Sequence, residues 1–265
     1  ILDNSLYFCK GLKMKYKIAV IENKLFEPLY NNIGSEGFLI KTTEEKAADL
    51  LQSNQVEIAL LTPTALARIS KKGDWRIIPS TALATKGYAE LLTLSFKQNL
   101  NSIDSIYFED ANYYLKSIIQ LLLAERFDIH TKISSDKVSK DEVDAYISCF
   151  AEQAGEFSID ISEEWFDAFE FPLPIAFWVT SGEIENADMI ELTNSIKDKL
   201  LTNYETINEN AERTKYQQRS GEIIWKWSEE IENALDKTMD LLFYHQIIND
   251  IPDTKILGRD YSDDD

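Results

Sequence analysis

Residues 160–179 combine a helix signal, two prolines and a buried-strand signal, and this order strongly constrains the fold. Ile161, Trp165 and Phe169 recur at helical spacing, with acidic residues on the opposite face. Asp160 is placed to cap this helix, and Pro172 prevents its continuation. The run IAFWV that follows has the length and apolar character of a buried strand. We therefore predict a short helix that leads through prolines into the interior of a sheet.

Short apolar strands alternate with amphipathic helices before this stretch. Strands are predicted at residues 17–21, 37–41 and 56–61, with helices after each of them. Later strands are expected at 75–84, 90–96, 105–108, 144–150 and 157–161, and a long helix at 112–126. The alternation predicts parallel strands joined by right-handed crossovers. After Gly182 the apolar period is helical, including residues 222–232. The fold class is therefore α/β with C-terminal helices.

The order of these segments predicts two lobes. Residues 1–15 are expected to be an extension outside the fold. Residues 16–97 and 179–265 form lobe 1, which is discontinuous and carries the C-terminal helices, and residues 98–178 form lobe 2. In such a clamp a ligand lies between the lobes, near the carboxyl ends of strands.

Composition narrows the range of partners. A net charge of −19 argues against nucleic acid, which requires clustered Lys and Arg. The sequence has no apolar run long enough for a membrane span, and its start does not resemble a signal peptide, so a cytoplasmic location is expected. Cys9 and Cys149 lack a CxxC spacing and are expected to be reduced thiols. His130 and His245 stand apart without a metal-binding spacing, so no metal is expected.

The stretch described first also carries a family resemblance. Its residues Asp160, Trp165, Pro172, Ala176 and Trp178 match the segment D-L-G-x-x-W-x-x-x-T-G-L-P-x-x-x-A-x-W without a gap. This segment is typical of the futalosine-pathway menaquinone-biosynthesis family, which includes chorismate dehydratase. Likewise, IAVIENKLFEPL resembles the family's I-G-x-V-S-Y-L-N-T-x-P-L, and DLLQSNQVEIALLTPTAL resembles x-L-L-x-G-x-V-D-V-A-L-I-P-S-x-x-L. The resemblance covers about residues 16–179.

The resemblance implies a two-lobed fold of the type II periplasmic-binding-protein kind. It also implies a lyase that eliminates water from chorismate without a cofactor or metal, using hydrogen-bond donors that hold carboxylates in a reactive pose. Leu25 and Phe26 stand where the family has its pocket Asn and the Thr after it, and Leu91 where it has a Ser. Because Leu and Phe donate no hydrogen bonds, binding of a carboxylate must rely on other residues.

Polar residues at strand ends and helix starts are the candidates for ligand binding. Each also has a structural interpretation, as an exposed loop, a helix cap or a core aromatic residue. The candidates are Asn23 and Lys24 after the first strand, Thr62 and Thr64 beside Pro63, Lys86 beside Gly87, and Asn112 and Tyr113 at the start of the long helix. No catalytic residue is singled out.

Three functions are compatible with this sequence. The first is a chorismate-dehydratase-like enzyme of menaquinone biosynthesis, and the second is a non-catalytic binder of a small anion or other solute on the same fold. The third is a structural or interaction role for a degenerate relative. Inward-facing Thr, Asn or Lys donors from both lobes would favour an anion site, such as one for a carboxylate like that of chorismate.

Overall fold

The computed structural model describes residues 16–31, 33, 37–98, 102–109, 112–136, 142–150, 157–182, 188–194 and 220–259. The expected extension 1–15, which contains Cys9, lies outside these ranges. So do residues 137–141, where the sequence predicts a polar helix or turn, and the acidic residues at 260–265. Within them, no helix has the length and apolarity needed to cross a bilayer.

The first sheet has six strands, and its parallel part confirms the predicted strand–helix alternation. Its strands are β1 (Tyr16–Ile21), β2 (Gly37–Thr42), β3 (Ile58–Leu61), β4 (Trp75–Gly87), β10 (Leu173–Ser181) and β11 (Gly221–Lys226). They lie in the order β11-β4-β10-β3-β1-β2. β1 pairs parallel with β2 and β3, whereas β10 runs antiparallel between β3 and β4. Since β1, β2 and β3 are parallel, their carboxyl ends meet at one edge.

Three helices connect these strands: α1 (Glu27–Tyr30), α2 (Glu44–Gln52) and α3 (Pro63–Ile69). The Thr43 hydroxyl caps α2 by accepting from the Lys46 N–H, and Thr62 caps α3 by accepting from the Ala65 N–H. Both caps directly follow the last residue of a parallel strand. The polar helix starts are thereby placed at the carboxyl edge of the first sheet.

The second sheet has five short strands in the order β7-β6-β8-β5-β9. They are β5 (Leu92–Phe96), β6 (Ile106–Tyr107), β7 (Ile133–Ser134), β8 (Ala145–Cys149) and β9 (Ser158–Asp160). The long helix α4 (Tyr113–Phe127) lies between β6 and β7 in the chain, and its Leu and Ile stripe is buried. Cys149 at the end of β8 is buried.

The chain passes between the sheets twice. It leaves the first sheet between β4 and β5, and returns through α5 (Ile161–Phe169) into β10. Asp160 ties the two crossings together, because its Oδ2 accepts from the Glu90 N–H at 2.6 Å while its Oδ1 caps α5 through the Glu163 N–H at 2.9 Å. β5, after the first crossing, lies in the second sheet, and β10, after the second crossing, lies in the first sheet.

The prediction that the chain is entirely helical after Gly182 is wrong. Residues 188–194 form helix α6, and α7 (Glu229–Tyr244) is a long helix, but β11 is a strand paired with β4. Trp225 and Trp227 are both 5% exposed. Two residues apart lie on one face of an extended chain, whereas a helix would turn them to different faces. The aromatic and β-branched run IIWKW therefore follows strand preference.

Candidate functional site

The Glu44 side chain lies between the two sheets and is almost fully buried, with 4% of its surface exposed. Glu44 is the first residue of α2, directly after the cap of that helix. Its carboxylate accepts hydrogen bonds from residues that belong to both sides of the interface. Two of them, Thr62 and Thr64, are residues that the sequence singles out for ligand binding.

The two threonine hydroxyls hold one oxygen of this carboxylate. Thr62 Oγ1 donates to Glu44 Oε1 at 2.6 Å, and Thr64 Oγ1 donates to the same oxygen at 2.5 Å. Both threonines are buried, and their hydroxyl oxygens are 3.2 Å apart. Thr62 follows β3 and Thr64 lies in the first turn of α3, so Pro63 between them fixes their spacing. Together they form a pair of neutral donors aimed at one anionic atom.

Helix α4 supplies the donor for the second oxygen. The Tyr114 N–H donates to Glu44 Oε2 at 3.2 Å. Asn112 caps α4 by accepting from the Leu115 N–H at 2.8 Å, and its Nδ2 is buried without a partner. The Tyr114 hydroxyl donates to the Pro174 carbonyl of β10. The start of α4 is therefore bonded to the first sheet both through Glu44 and directly.

Burial dominates the electrostatics of this site. Burial raises the pKa of Glu44, although the two threonine hydroxyls and the Tyr114 N–H lower it by stabilising the carboxylate. Burial, reinforced by the Glu44 charge, also raises the pKa of the Tyr114 hydroxyl well above its ordinary value. Glu44 has no ion-pair partner among the described residues. The site thus holds a carboxylate with neutral donors and helix-start N–H groups rather than with a cation.

Five candidates form no hydrogen bond with the Glu44 carboxylate: Asn112, described above, and the four that follow. The Asn23 side chain accepts from the Leu25 N–H at 2.8 Å within the turn after β1, and Lys24 is exposed. Lys86 forms an ion pair with Glu230 of α7 at 2.7 Å. Tyr113 is 51% exposed, and its hydroxyl donates to the Ile247 carbonyl at 3.3 Å.

Glu44 itself is the residue that the sequence analysis missed. An acidic residue in the first turn of a helix ordinarily faces water and stabilises the helix dipole, and Glu45 beside it is exposed. Its position relative to the apolar residues was nevertheless informative. Glu44 precedes Ala47, Ala48 and Leu51 at steps of three, four and seven, so it shares the buried face of α2.

The positions where the resemblance predicts pocket hydroxyl and amide groups belong to the core. Leu25, Phe26 and Leu91 are each 0% exposed. These positions therefore hold apolar packing, and hydroxyl and N–H donors converge instead on Glu44.

A concave surface lies at the C-terminal end of α7, away from Glu44. It is an open groove of about 960 Å³, whose walls include Phe171, Lys237, Phe243, Tyr244 and Ile251. Phe243 and Tyr244 are 46% and 79% exposed, so much of this wall faces solvent. Across the described ranges, no group of His, Cys, Asp and Glu has an arrangement that could hold a metal ion.

Known structures resemble this chain in fold. No family model matches the sequence, and no curated protein is detectably similar to it. The structure of AF1704 from Archaeoglobus fulgidus is 13% identical, with a TM-score of 0.55, covering 89% of this chain and 99% of that one. The periplasmic aliphatic sulphonate binding protein SsuA from Escherichia coli is 11% identical, with a TM-score of 0.52, covering 91% and 96%.

A third example is an ABC transporter structure from Parabacteroides distasonis, 13% identical with a TM-score of 0.54, covering 94% of this chain and all of that chain (100%). Identities this low establish the fold alone. The chain has the two-lobed α/β fold of periplasmic binding proteins, as the sequence predicts.

Proposed function

We propose that this chain is a non-catalytic small-molecule-binding protein whose ligand site lies between the two sheets, at Thr62, Thr64 and the start of α4. One observation carries the proposal: hydroxyl and N–H donors from the two sides of the interface converge on a single carboxylate. Such convergence of a few polar groups between lobes is the usual form of a solute site in this fold. The ligand is a small molecule that presents an anionic group to these donors.

The buried positions around the site favour binding over catalysis. Elimination of water from chorismate requires hydrogen-bond donors for two carboxylates. At the positions where the resemblance implies such donors, this chain has Leu25, Phe26 and Leu91, which are fully buried. The loss of donors at these positions argues against turnover.

The chorismate-dehydratase-like activity is the second candidate. The gap-free match over residues 160–178 favours it, and Asp160, Trp165 and Trp178 of this match are all buried. Incubating the protein with chorismate and following the diene absorbance separates the two functions. We expect no loss of absorbance, and enzyme-dependent loss would overturn the non-catalytic proposal.

Binding is tested by thermal shift with chorismate and a panel of mono- and dicarboxylates, followed by calorimetry on the compound with the largest shift. We expect Thr64→Val to weaken binding of that compound by about tenfold or more, since a hydrogen bond to a charged group contributes about 1.5–3 kcal/mol. The control is Thr238→Val, whose buried hydroxyl donates to the Ala234 carbonyl within α7. A panel without any shift, or equal affinities for both variants, would reject this site.

A further inference from the structure

The Glu44 carboxylate is bonded as a ligand carboxylate would be. One oxygen receives two hydroxyl hydrogen bonds and the other receives a backbone N–H from α4. Thr62 and Thr64 are 0% and 6% exposed, so these donors are built into the interior. The three donors come from segments after β3 and after β6, in different sheets. The chain thus contains a complete carboxylate receptor that is filled by one of its own side chains.

Burial of the Glu44 carboxylate carries a cost that its hydrogen bonds offset only in part. A buried carboxylate costs free energy unless it is paired and hydrogen-bonded, and Glu44 has no ion pair among the residues that the structure describes. Its raised pKa reflects this cost. The same neutral donors would bind a carboxylate from any source, because they recognise the charge and geometry of the carboxylate group and not the molecule that carries it.

We propose that Glu44 is an internal competitor, and that the group it competes with is the carboxylate of a free organic acid. In this proposal the Glu44 side chain rotates away from the three donors, and α2, which begins at Glu44, stays folded. An attached competitor acts at a high effective concentration, and it raises the apparent Kd of the free acid by the ratio of total to vacant receptor. This inference rests on the proposed function, since it assigns ligand chemistry and regulation to the same site.

The test replaces the internal carboxylate with a free one. Glu44→Ala removes the atoms beyond Cβ, and acetate has the size of the removed group. We expect sodium acetate at ten times its Kd to raise the Tm of Glu44→Ala by about 3 °C relative to sodium chloride at equal ionic strength. Acetate should leave the Tm of the wild type and of Glu45→Ala unchanged, because Glu44 fills the receptor in both and Glu45 is exposed.

Two further variants make the test specific. Glu44→Gln keeps a side chain of the same shape in the receptor, so its Tm should not respond to acetate. Thr64→Val in the Glu44→Ala background removes a donor and should abolish the response. If Glu44→Ala does not fold in chloride, its refolding yield in acetate against chloride becomes the readout, with a higher yield in acetate expected.

The possible failures are distinguishable. An equal response of Glu44→Ala to acetate and chloride in both readouts would overturn the internal-competitor inference, whatever the wild type binds. An equal acetate response of wild type and Glu44→Ala would also overturn it, since the receptor would then be vacant in the wild type. If acetate stabilises only Glu44→Ala and the wild type binds no solute in the panel, the inference stands and the proposed function fails.

Discussion

At the scale of residues, two buried carboxylates organise the boundary between the sheets. Glu44 accepts hydrogen bonds from the Thr62 and Thr64 hydroxyls on its own side of the interface and from the Tyr114 N–H on the other side. Asp160 accepts hydrogen bonds from backbone N–H groups of both chain crossings. Asp160 is 2% exposed, and burial raises its pKa to about 6 although these N–H groups lower it. Each residue joins parts of the chain that are distant in sequence, so a change at either should affect more than its own helix.

The raised pKa of Asp160 predicts a pH dependence of stability. A carboxyl whose pKa is about 6 when folded and 3.8 when unfolded binds its proton more readily in the folded state. Its contribution is therefore full below pH 3.8 and is lost as the pH rises through 6, a change of about 3 kcal/mol. We expect the free energy of unfolding of the wild type, minus that of Asp160→Asn, to increase as the pH falls from 7 to 4.

Urea unfolding of both proteins at several pH values measures this difference. At pH 7 we expect Asp160→Asn to be less stable by about 1–3 kcal/mol, because an amide has one acceptor oxygen and leaves the N–H of Glu90 or Glu163 unpaired. Comparing the two proteins at each pH cancels the titration of other groups. A difference that stays constant or shrinks on acidification would contradict the raised pKa.

At the scale of elements, β11 shows how the neighbouring strand decides secondary structure. Gly221 pairs with Gly87, the last residue of β4, which has a φ of 63°. A Cβ at Gly221 would clash with the backbone of Tyr88, so the start of β11 can approach the end of β4 this closely only with glycine at this position. The pairing places Trp225 and Trp227 on the core side, where the Trp227 ring packs against Phe177 of β10 at 5.7 Å.

This close approach predicts the cost of a small substitution. Gly221→Ala should lower the free energy of unfolding by about 1–3 kcal/mol, because the backbone of Tyr88 must shift to make room. Gly258→Ala is the control. An alanine at the φ of 82° found there would have a strained backbone, but its Cβ would meet no atom within 4 Å. Urea unfolding should find Gly221→Ala the less stable of the two. The reverse order would argue against the β11–β4 pairing.

At the scale of the whole molecule, the two sheets are held together by the protein itself. Besides the Glu44 bond, the Tyr114 hydroxyl donates to the Pro174 carbonyl of β10. Two further contacts join α4 to the end of α7: the Tyr113 hydroxyl to the Ile247 carbonyl at 3.3 Å, and His245 to Glu125 at 3.3 Å. These contacts link α4 to the first sheet and to the end of α7.

Small-angle scattering tests whether these contacts hold the two sheets together. The wild type should have a compact radius of gyration, about 18 Å for a folded chain of this length, both with and without added organic acid. Glu44→Ala combined with Tyr114→Phe removes two cross-sheet bonds and should give a larger value at unchanged helix content by circular dichroism. Tyr113→Phe, which removes only an exposed contact, serves as the control. Equal radii for the double variant and the wild type would contradict closure by these contacts.

The sequence by itself determined the local structure and the fold class. Apolar periodicity, helix caps and prolines act over a few residues, so β1 to β3, the caps Asn112 and Asp160, and the helix-to-strand passage into β10 could be predicted. Only the tertiary structure decided which polar residues meet. Glu44 and Tyr114 are distant in the chain, and no local pattern reports their contact. Likewise, β11 is a strand because β4 offers it hydrogen-bond partners, a long-range choice that overrides the helical spacing of its residues.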